Sequence, residues 1–243
     1  MPHGNIAASV VVHKTPSMDL KRALESLLKS EVRKIYVVDN SPSESLREVA
    51  EIDPKIRYLR VPNKGYGAAN NVAIKKSLEE GYDYHLVMNP DVWWEEDPIS
   101  ALIVEMKSNS KIGLIAPKIL NPDGSLQISC RPLPTPLSLI KNRVCGIKFP
   151  QIKNKFYLLG AFMLFRCEAL KSEGLFDERF FLYPEDIDIS RRIHSNWEIS
   201  YYPEVSVYHA HQRASAKSLR KLMIHIQNMI RYFNKWGWRQ GYL

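Results

Sequence analysis

The feature that most constrains the fold is an apolar run at residues 84–88, which ends abruptly in Asn89-Pro90-Asp91. A continuous apolar run of this length is typical of a parallel strand buried on both faces. Proline cannot donate a ladder hydrogen bond, so the strand must stop before Pro90. The stop leaves Asn89 and Asp91 at the carboxyl end of a strand, where open α/β sheets bind ligands. A carboxylate there can hold a divalent cation that bridges two phosphates, and a helix start with solvated acids is the alternative.

Strand-like and helix-like patterns alternate on both sides of this run. We predict strands at residues 7–13, 34–39, 56–61, 84–88 and 112–116, and helices at 18–29, 44–50, 68–80 and 99–107. This spacing predicts right-handed βαβ units and an α/β fold with a mainly parallel, doubly wound sheet. Downstream we predict a hairpin turn at 121–124, an irregular loop at 131–155 and an apolar return to the core at 156–166.

Length, charge and cysteine content exclude several classes of protein. A chain of 243 residues with 45% hydrophobic and 25% charged residues is typical of a globular protein. Three cysteines without CxxC spacing argue against a disulfide framework or zinc ribbon and favour a reducing, cytoplasmic compartment. We expect neither a signal peptide nor a membrane span, because no apolar run approaches the roughly 20 residues required. The net charge of +8 favours an anionic partner: nucleotide phosphates, nucleic acid or an anionic membrane face.

Two further groups of residues in the first half have patterns typical of nucleotide sites. Asp39 ends the second predicted strand, where an acid can accept hydrogen bonds from a ribose or nucleobase, and a turn or helix cap is the alternative. Gly65 and Gly67 flank Tyr66 just before a helix that contains Asn70. Glycines let a backbone approach a ligand closely, and the helix N-terminus favours an anion. The loop matches neither the Walker A pattern nor GxGxxG.

The second half contains an acidic helix start and a histidine at a strand end. Glu185 and Asp186 follow an aromatic-rich approach, where they could cap the helix or provide a positioned general base. His209 ends an apolar segment and is a candidate metal ligand, with His211 as a competitor. Structural histidines are the alternative for both.

Taken in order, these motifs resemble family 2 glycosyltransferases with a GT-A fold, particularly the bacterial rhamnosyltransferase-like branch. The resemblance covers about residues 9–233 and depends on the order of six motifs, none of which decides it alone. The six are Val37-Val38-Asp39, residues 63–71 around Gly65-Tyr66-Gly67, Asn89-Pro90-Asp91, residues 160–166, residues 176–188 around Glu185-Asp186, and residues 209–215 from His209.

The resemblance implies an inverting transfer of a sugar from a nucleoside diphosphate sugar to an acceptor hydroxyl in one displacement. The branch implies L-rhamnose from dTDP-rhamnose, with a UDP-hexose or UDP-N-acetylhexosamine donor as the alternative. The implied acceptor is a glycan or an undecaprenyl-linked oligosaccharide in bacterial surface polysaccharide synthesis, such as lipopolysaccharide. The implied location is the cytoplasm, at the inner face of the cell membrane.

The resemblance also implies residue roles. The nucleotide and donor sugar would be bound by Asp39, Gly65, Tyr66, Gly67, Asn70 and Asn89, with Asp39 on the base. Asp91 and His209 would bind Mg²⁺ or Mn²⁺ on the diphosphate, although Asn89 stands where many relatives have Asp. Asp186 would be the general base, and Glu185 would position the acceptor or share the base function.

Residues 1–214 are predicted to form the GT-A domain, with a nucleotide-binding half at 1–97 and an acceptor-binding half at 98–214. Residues 215–243 are predicted to form a basic amphipathic helix and tail. Its apolar stripe comprises Leu219, Leu222, Met223, Ile226, Met229, Ile230 and Phe233. The stripe can pack on the domain, and a basic helix with interfacial aromatics can also lie on an anionic membrane face.

Three other functions are less consistent with the sequence. A nucleotidyltransferase is expected to have a Gly-rich basic loop after the first strand, which His13-Lys14-Thr15-Pro16 is not. A nucleic-acid-binding module is disfavoured because the basic helix has no interleaved aromatics until its end and no binding motif occurs. A non-catalytic sugar-nucleotide-binding relative is disfavoured by the joint presence of Asp91, Asp186 and His209.

Overall fold

The structure, a computed structural model, describes residues 4–43, 46–50, 52–138, 155–210 and 219–238. The strands are β1 (Ile6–Val12), β2 (Lys34–Asp39), β3 (Ile56–Arg60), β4 (Tyr84–Met88), β5 (Val92–Trp93), β6 (Ile112–Leu120), β7 (Leu126–Gln127), β8 (Cys130–Pro132), β9 (Phe156–Leu158), β10 (Phe162–Arg166) and β11 (Glu198–His209). The helices are α1 (Ser17–Leu28), α2 (Arg47–Ala50), α3 (Tyr66–Glu79), α4 (Ile99–Ser108), α5 (Cys167–Glu173), α6 (Glu185–Ile193) and α7 (Leu219–Trp236).

Nine of the described strands form one sheet in the order β3-β2-β1-β4-β10-β6-β11-β5, with β7 paired to β6. Strands β3, β2, β1 and β4 are parallel to one another. Strand β10 lies antiparallel between β4 and β6, and β11 is parallel to β6. The predicted α/β fold with a mainly parallel, doubly wound sheet is therefore confirmed, with one central antiparallel strand that the pattern did not predict.

Side chains of β1 alternate between the two faces of the sheet, as the strand period of two requires. Ile6 and Val10 pack in the cluster that contains Leu24 of α1. Val11 packs on the opposite face with Ala73 of α3. Because helices cover both faces, this strand is buried along its whole length.

The apolar stretch 156–166 returns to the core as predicted, but in two pieces. Strand β9 pairs with β8 in a separate two-stranded sheet, whereas β10 joins the main sheet. The turn between them contains Gly160. The predicted hairpin at residues 121–124 joins β6 to β7. Of the loop predicted at 131–155, residues 139–154 lie outside the described part, and the loop's first residues belong to β8.

Helix α7 packs one side on the domain. Met229, Tyr232 and Phe233 are buried in a cluster with Phe180 and Ile187. The predicted apolar stripe is therefore only partly buried, because other apolar residues of this helix stay exposed. No helix in the described residues is long and apolar enough to cross a membrane.

A buried polar network joins α3, β1 and β4 behind the cleft. The Nε2 of His85 lies 3.0 Å from Ser9 Oγ, and its Nδ1 lies 2.7 Å from Ser77 Oγ. Ser9 Oγ in turn donates to Asn70 Oδ1 at 2.7 Å. Burial lowers the pKa of His85 to about 3, so the folded protein holds this imidazole neutral.

We expect His85→Gln to weaken the pH dependence of unfolding on the acid side. The unfolded chain protonates His85 near its ordinary pKa of 6.5, while the folded chain resists protonation until about pH 3. Wild-type stability therefore falls as the pH drops below 6.5, by at most about 1.4 kcal/mol per pH unit, and is unaffected by this group above it. Urea titrations at about pH 7.5 and about pH 5 should show the wild type losing roughly 2 kcal/mol more than the variant. Equal losses in the two proteins would contradict this.

Candidate active site

Two adjoining pockets form a cleft at the carboxyl ends of β1, β2 and β4. His13 and Lys14, directly after β1, line both pockets and therefore connect them. The cleft is at the edge of the sheet where open α/β folds bind ligands.

The first pocket has a volume of about 570 Å³. Its wall combines backbone and polar groups with the cations Lys14 and Arg60, and Asn40 and Ser41 lie next to His13. His13 Nδ1 lies 3.0 Å from the Asn40 side-chain oxygen, which fixes the orientation of the ring. The volume and the positive charge suit a nucleoside with its phosphates.

Asp39 lies behind this pocket and is not part of its lining. The carboxylate is fully buried. Its Oδ1 accepts a hydrogen bond from Ser41 N at 2.7 Å, and its Oδ2 accepts one from the Tyr58 hydroxyl and lies 3.8 Å from Arg60 Nη1. In this arrangement Asp39 shapes the turn that forms the pocket wall, which was the alternative interpretation of the sequence.

The second pocket, of about 330 Å³, brings together most of the predicted site residues. The predicted residues that line it are Tyr66, Asn89, Asp91, Glu185, Asp186 and His209. They come from four separate elements, α3, the β4 end, α6 and the β11 end, which only the folded sheet places together.

Asp91 and His209 meet at one end of the second pocket. Strand β5 pairs antiparallel with β11, His209 opposite Val92, and this pairing places His209 Nε2 3.3 Å from Asp91 Oδ1. On its other side, His209 Nδ1 lies 2.8 Å from Gln127 Oε1. A proton on Nδ1 would donate to Gln127 and leave the lone pair of Nε2 facing Asp91, as a metal ligand requires.

These donors fit a divalent cation that keeps most of its coordination sites for substrate and water. Among the described residues no group of three or more His, Cys, Asp or Glu side chains is placed to hold a metal. Asp19 of α1 lines the same pocket, and burial together with the Asp91 charge raises its pKa. The excess of carboxylate at this end favours a cation bound with substrate oxygens.

The Tyr66 hydroxyl connects this end of the pocket to the other. It lies 2.9 Å from both Asn89 Oδ1 and Gly160 O. Asn89 Nδ2 lies 3.4 Å from His209 Nε2. Gly160 N donates to Asp186 Oδ2 at 3.1 Å. A line of polar contacts thus runs from His209 to Asp186 along the pocket.

Two backbone N–H groups donate to the Asp186 carboxyl group. Besides the Gly160 contact, its Oδ1 accepts a hydrogen bond from Ile187 N at 2.8 Å. Burial raises the pKa of Asp186, and the two N–H donors oppose that rise because they stabilise the charged form.

Glu185 has the opposite environment. It is 5% exposed, and its Oε2 has no hydrogen-bond partner among the described residues. Burial, reinforced by the Asp186 charge, raises the pKa of Glu185 to about 8. Glu185 is therefore protonated at pH 7, whereas the two N–H donors at Asp186 favour its charged form, so the two neighbouring carboxyl groups have different environments.

The glycines of the 63–71 motif pack closely against the segment 176–181. Gly65 has φ +107°, and a Cβ there would lie 2.2 Å from the carbonyl oxygen of Phe181. A Cβ on Gly67 would lie 2.9 Å from Phe176 Cβ. Asn70 is fully buried in the His85 network and does not line either pocket. Of this motif, Asn63 lines the first pocket and Tyr66 lines the second.

Sequence analysis assigned no site function to several residues that line the cleft. His13 and Lys14 connect its pockets, Asp19 adds a carboxylate, and Gly160 donates to the predicted base. A basic pair directly after the first strand was the available signal for the first two. Gly160 begins the 160–166 motif, and nothing in the local sequence marked Asp19.

Residues 10–173 match the family model described as Glycosyl transferase family 2. The chain belongs to this glycosyltransferase family. It is 30% identical over 230 residues to N-acetylglucosaminyl-diphospho-decaprenol L-rhamnosyltransferase of Mycobacterium tuberculosis, covering 82% of this chain and 74% of that protein. It is 26% identical over 230 residues to the rhamnosyltransferase WbbL of Escherichia coli, covering 88% and 87%. The resemblance to the rhamnosyltransferase-like branch is thereby confirmed.

Solved glycosyltransferases share the fold of this family member. The structure of GalNAc-T7 with UDP, GalNAc and Mn²⁺ matches with a TM-score of 0.68 at 15% identity, over 96% of this chain and 48% of that chain. The mannosyltransferase PcManGT of Pyrobaculum calidifontis, in complex with GDP-Man and Mn²⁺, matches with a TM-score of 0.64 at 15% identity, over 94% and 65%. The chain thus spans about half to two thirds of these structures, and the predicted GT-A fold is confirmed.

We expect Gly65→Ala to destabilise the glycosyltransferase more than Gly81→Ala does. Both glycines have positive φ, so both substitutions pay a backbone cost of about 1–2 kcal/mol. Only at Gly65 would the new methyl group collide with the backbone of Phe181, whereas nothing lies within 4 Å of a Cβ at Gly81. Urea unfolding should show a further loss of about 2 kcal/mol for Gly65→Ala. Equal losses would contradict the packing function of this glycine.

Proposed function

We propose that this family 2 glycosyltransferase catalyses an inverting, single-displacement transfer from a nucleoside diphosphate sugar to an acceptor hydroxyl. The observation that carries the proposal is the arrangement of two unlike pairs in one pocket. Asp91 and His209 face each other at one end, while Glu185, whose pKa burial raises, and Asp186, which accepts two backbone hydrogen bonds, lie at the other. One pair suits a cation on a leaving diphosphate, and the other suits an acceptor hydroxyl.

The donor would span both pockets. The nucleoside would occupy the pocket beside Asn40 and Arg60, and the diphosphate would pass between His13 and Lys14, which line both cavities. Asp39 would act on the base indirectly, through the Ser41 turn that it holds.

Asp91 and His209 would be the protein ligands of Mg²⁺ or Mn²⁺. A bound cation of this kind neutralises charge that develops on a leaving diphosphate. Asn89 would lie beside this cation and contact the donor, and Tyr66 would hold Asn89 in place.

Asp186 would accept the proton of the acceptor hydroxyl as that oxygen bonds to the anomeric carbon and the bond to the diphosphate breaks. Attack from the face opposite the leaving group inverts the configuration. Glu185, protonated and with an unpartnered Oε2, would hydrogen-bond the acceptor and leave Asp186 as the base.

The relatives favour L-rhamnose, from dTDP-rhamnose, as the sugar. Two of them are named as rhamnosyltransferases, and the name of one includes a diphospho-decaprenol acceptor. A lipid-linked saccharide of surface polysaccharide synthesis, such as an undecaprenyl-linked one, is therefore the proposed acceptor. A UDP-hexose donor is the second candidate, because a hexosyltransferase of Haloferax volcanii is 29% identical over 192 residues.

Asp186→Asn should lower turnover by about 10²–10⁴-fold, the usual contribution of a general base, while nucleotide binding persists. Glu185→Gln should keep most of the turnover near pH 7, since glutamine resembles the protonated acid. The wild-type rate should fall as the pH rises through about 8 and Glu185 ionises beside Asp186, and Glu185→Gln should lack that fall. Initial rates against pH for the three proteins measure both effects.

Two outcomes would contradict these assignments. Normal turnover in Asp186→Asn would exclude it as the base. A loss in Glu185→Gln as large as that in Asp186→Asn at pH 7 would mean that Glu185 acts as an anion. Unfolding curves of the three proteins serve as the control for folding.

Nucleotide binding should require a divalent cation and Asp91. Thermal-shift assays with dTDP, UDP, GDP and CMP, each with Mn²⁺, Mg²⁺ or EDTA, would show which nucleotide stabilises the fold. A nucleotide at 100 times its Kd adds about 2.7 kcal/mol to the free energy of unfolding. We expect metal-dependent stabilisation by dTDP, lost in Asp91→Asn and kept in Glu95→Gln, which removes an exposed charge four residues away.

The panel separates the alternatives. Stabilisation by UDP instead of dTDP would move the donor to a hexose or N-acetylhexosamine. Binding without turnover on any lipid-linked acceptor would support a non-catalytic binding protein. No stabilisation by any nucleotide would contradict the proposed donor site.

A further inference from the structure

Helix α7 presents a second apolar row that the fold leaves exposed. Met223, Ile226 and Ile230, here called the outer row, are 61%, 49% and 44% exposed. Their spacing of three and four residues places them along one side of the helix. Met229, on the inner side, is buried against the domain, so the outer row takes no part in that packing. Trp238, just beyond the helix, is 50% exposed as well.

A basic pocket of about 360 Å³ adjoins the outer row. Asn234, one turn beyond Ile230, is part of its lining. The full lining is Arg179, Phe180, Arg231, Asn234 and Lys235. It thus contains three cations, and no carboxylate among the described residues that line it.

The nearby carboxylates only partly compensate this charge. Arg179 and Lys235 share Asp177, at 2.6 and 2.9 Å, and Lys235 also lies 2.7 Å from Asp188. Arg231 donates instead to two neutral acceptors, Arg179 O and Asn228 Oδ1, both at 3.0 Å. Within the described part of the chain Arg231 forms no ion pair, so the pocket retains a positive charge.

We propose that the outer row and the basic pocket together dock the protein on an anionic lipid bilayer. The aliphatic row and Trp238 would enter the boundary between headgroups and acyl chains, while lipid phosphates would bind at Arg231 and Arg179. An anionic bilayer supplies an apolar layer and negative charge side by side, in the arrangement that this surface presents. A second copy of the chain fits less well, because it would bring two basic surfaces of a protein with net charge +8 together.

Docking through this surface has a consequence for the active site. The inner side of α7 holds the segment that leads to Glu185 and Asp186. Asn228 Nδ2 donates to Leu182 O at 2.9 Å, and Trp236 Nε1 donates to Asp188 Oδ1 at 2.8 Å. A membrane on the outer row would therefore lie one helix away from the acceptor-binding residues. This consequence rests on the proposed function, whereas the docking itself does not.

Vesicle binding tests the proposal without any activity assay. The full-length protein would be sedimented with sucrose-loaded vesicles of phosphatidylcholine alone, or of phosphatidylcholine with about one-third phosphatidylglycerol. We expect binding to the anionic vesicles that weakens when salt is raised from about 0.1 M to about 0.5 M. Met223→Ser/Ile226→Ser/Ile230→Ser should lower the partition coefficient at least about tenfold. Arg231→Gln should lower it about fivefold on anionic vesicles only.

Matched controls distinguish binding through this surface from nonspecific binding through any exposed apolar side chain. Met18 and Val104 are 75% and 67% exposed on α1 and α4, away from the basic pocket, so Met18→Ser and Val104→Ser should leave binding unchanged. Equal binding to neutral and anionic vesicles, or unchanged binding by the triple variant, would overturn the proposal. Failure of the wild type to bind vesicles would also overturn the proposal. This includes the case in which sedimentation velocity shows that the wild type is a dimer and the triple variant is not.

Discussion

The buried charge of Asp188 holds together the acceptor side of the cleft. Its fully buried carboxylate meets Arg192 Nε at 3.0 Å, Lys235 Nζ at 2.7 Å and Trp236 Nε1 at 2.8 Å. A carboxylate in this environment is costly unless it is paired and hydrogen-bonded, and here it has three donors. Arg192 also donates to the carbonyls of the last residue of α5 and of the two residues after it, so one buried charge joins α5, α6 and α7. The helix that starts with Glu185 and Asp186 is positioned by this network.

Opposite electrostatic conditions at the two ends of one pocket distinguish its carboxylates. Asp91 faces a histidine and a partly buried Asp19, an arrangement that attracts a cation. Asp186 accepts two backbone N–H hydrogen bonds, which favour its charged form, while Glu185 has no such donors at Oε2 and burial raises its pKa to about 8. Tyr66 makes the two ends one unit, because its hydroxyl contacts both Asn89 and Gly160.

The elements of the first half could be predicted closely, since their patterns are local. Strand β4 begins and ends where the apolar run and Pro90 placed it. The position of β10 could not be predicted in this way, because pairing between strands 70 or more residues apart leaves no periodic signal. The close approach of the Phe181 backbone to Gly65 could not be predicted either, because the two residues are distant in sequence. Which apolar residues of α7 are buried and which are exposed likewise depends on what packs against each side of the helix.

By itself, the sequence determined the residue types at the strand ends and the family that their order indicates. Proline chemistry and helix dipoles act over a few residues, so Asn89, Asp91, Glu185 and Asp186 could be located without a structure. The tertiary structure alone decided which of these groups meet and which are charged. His209 reaches Asn89 across 120 residues, and Gly160 reaches Asp186 across 26. Burial and hydrogen-bond donors set protonation, and both arise only when distant segments pack together.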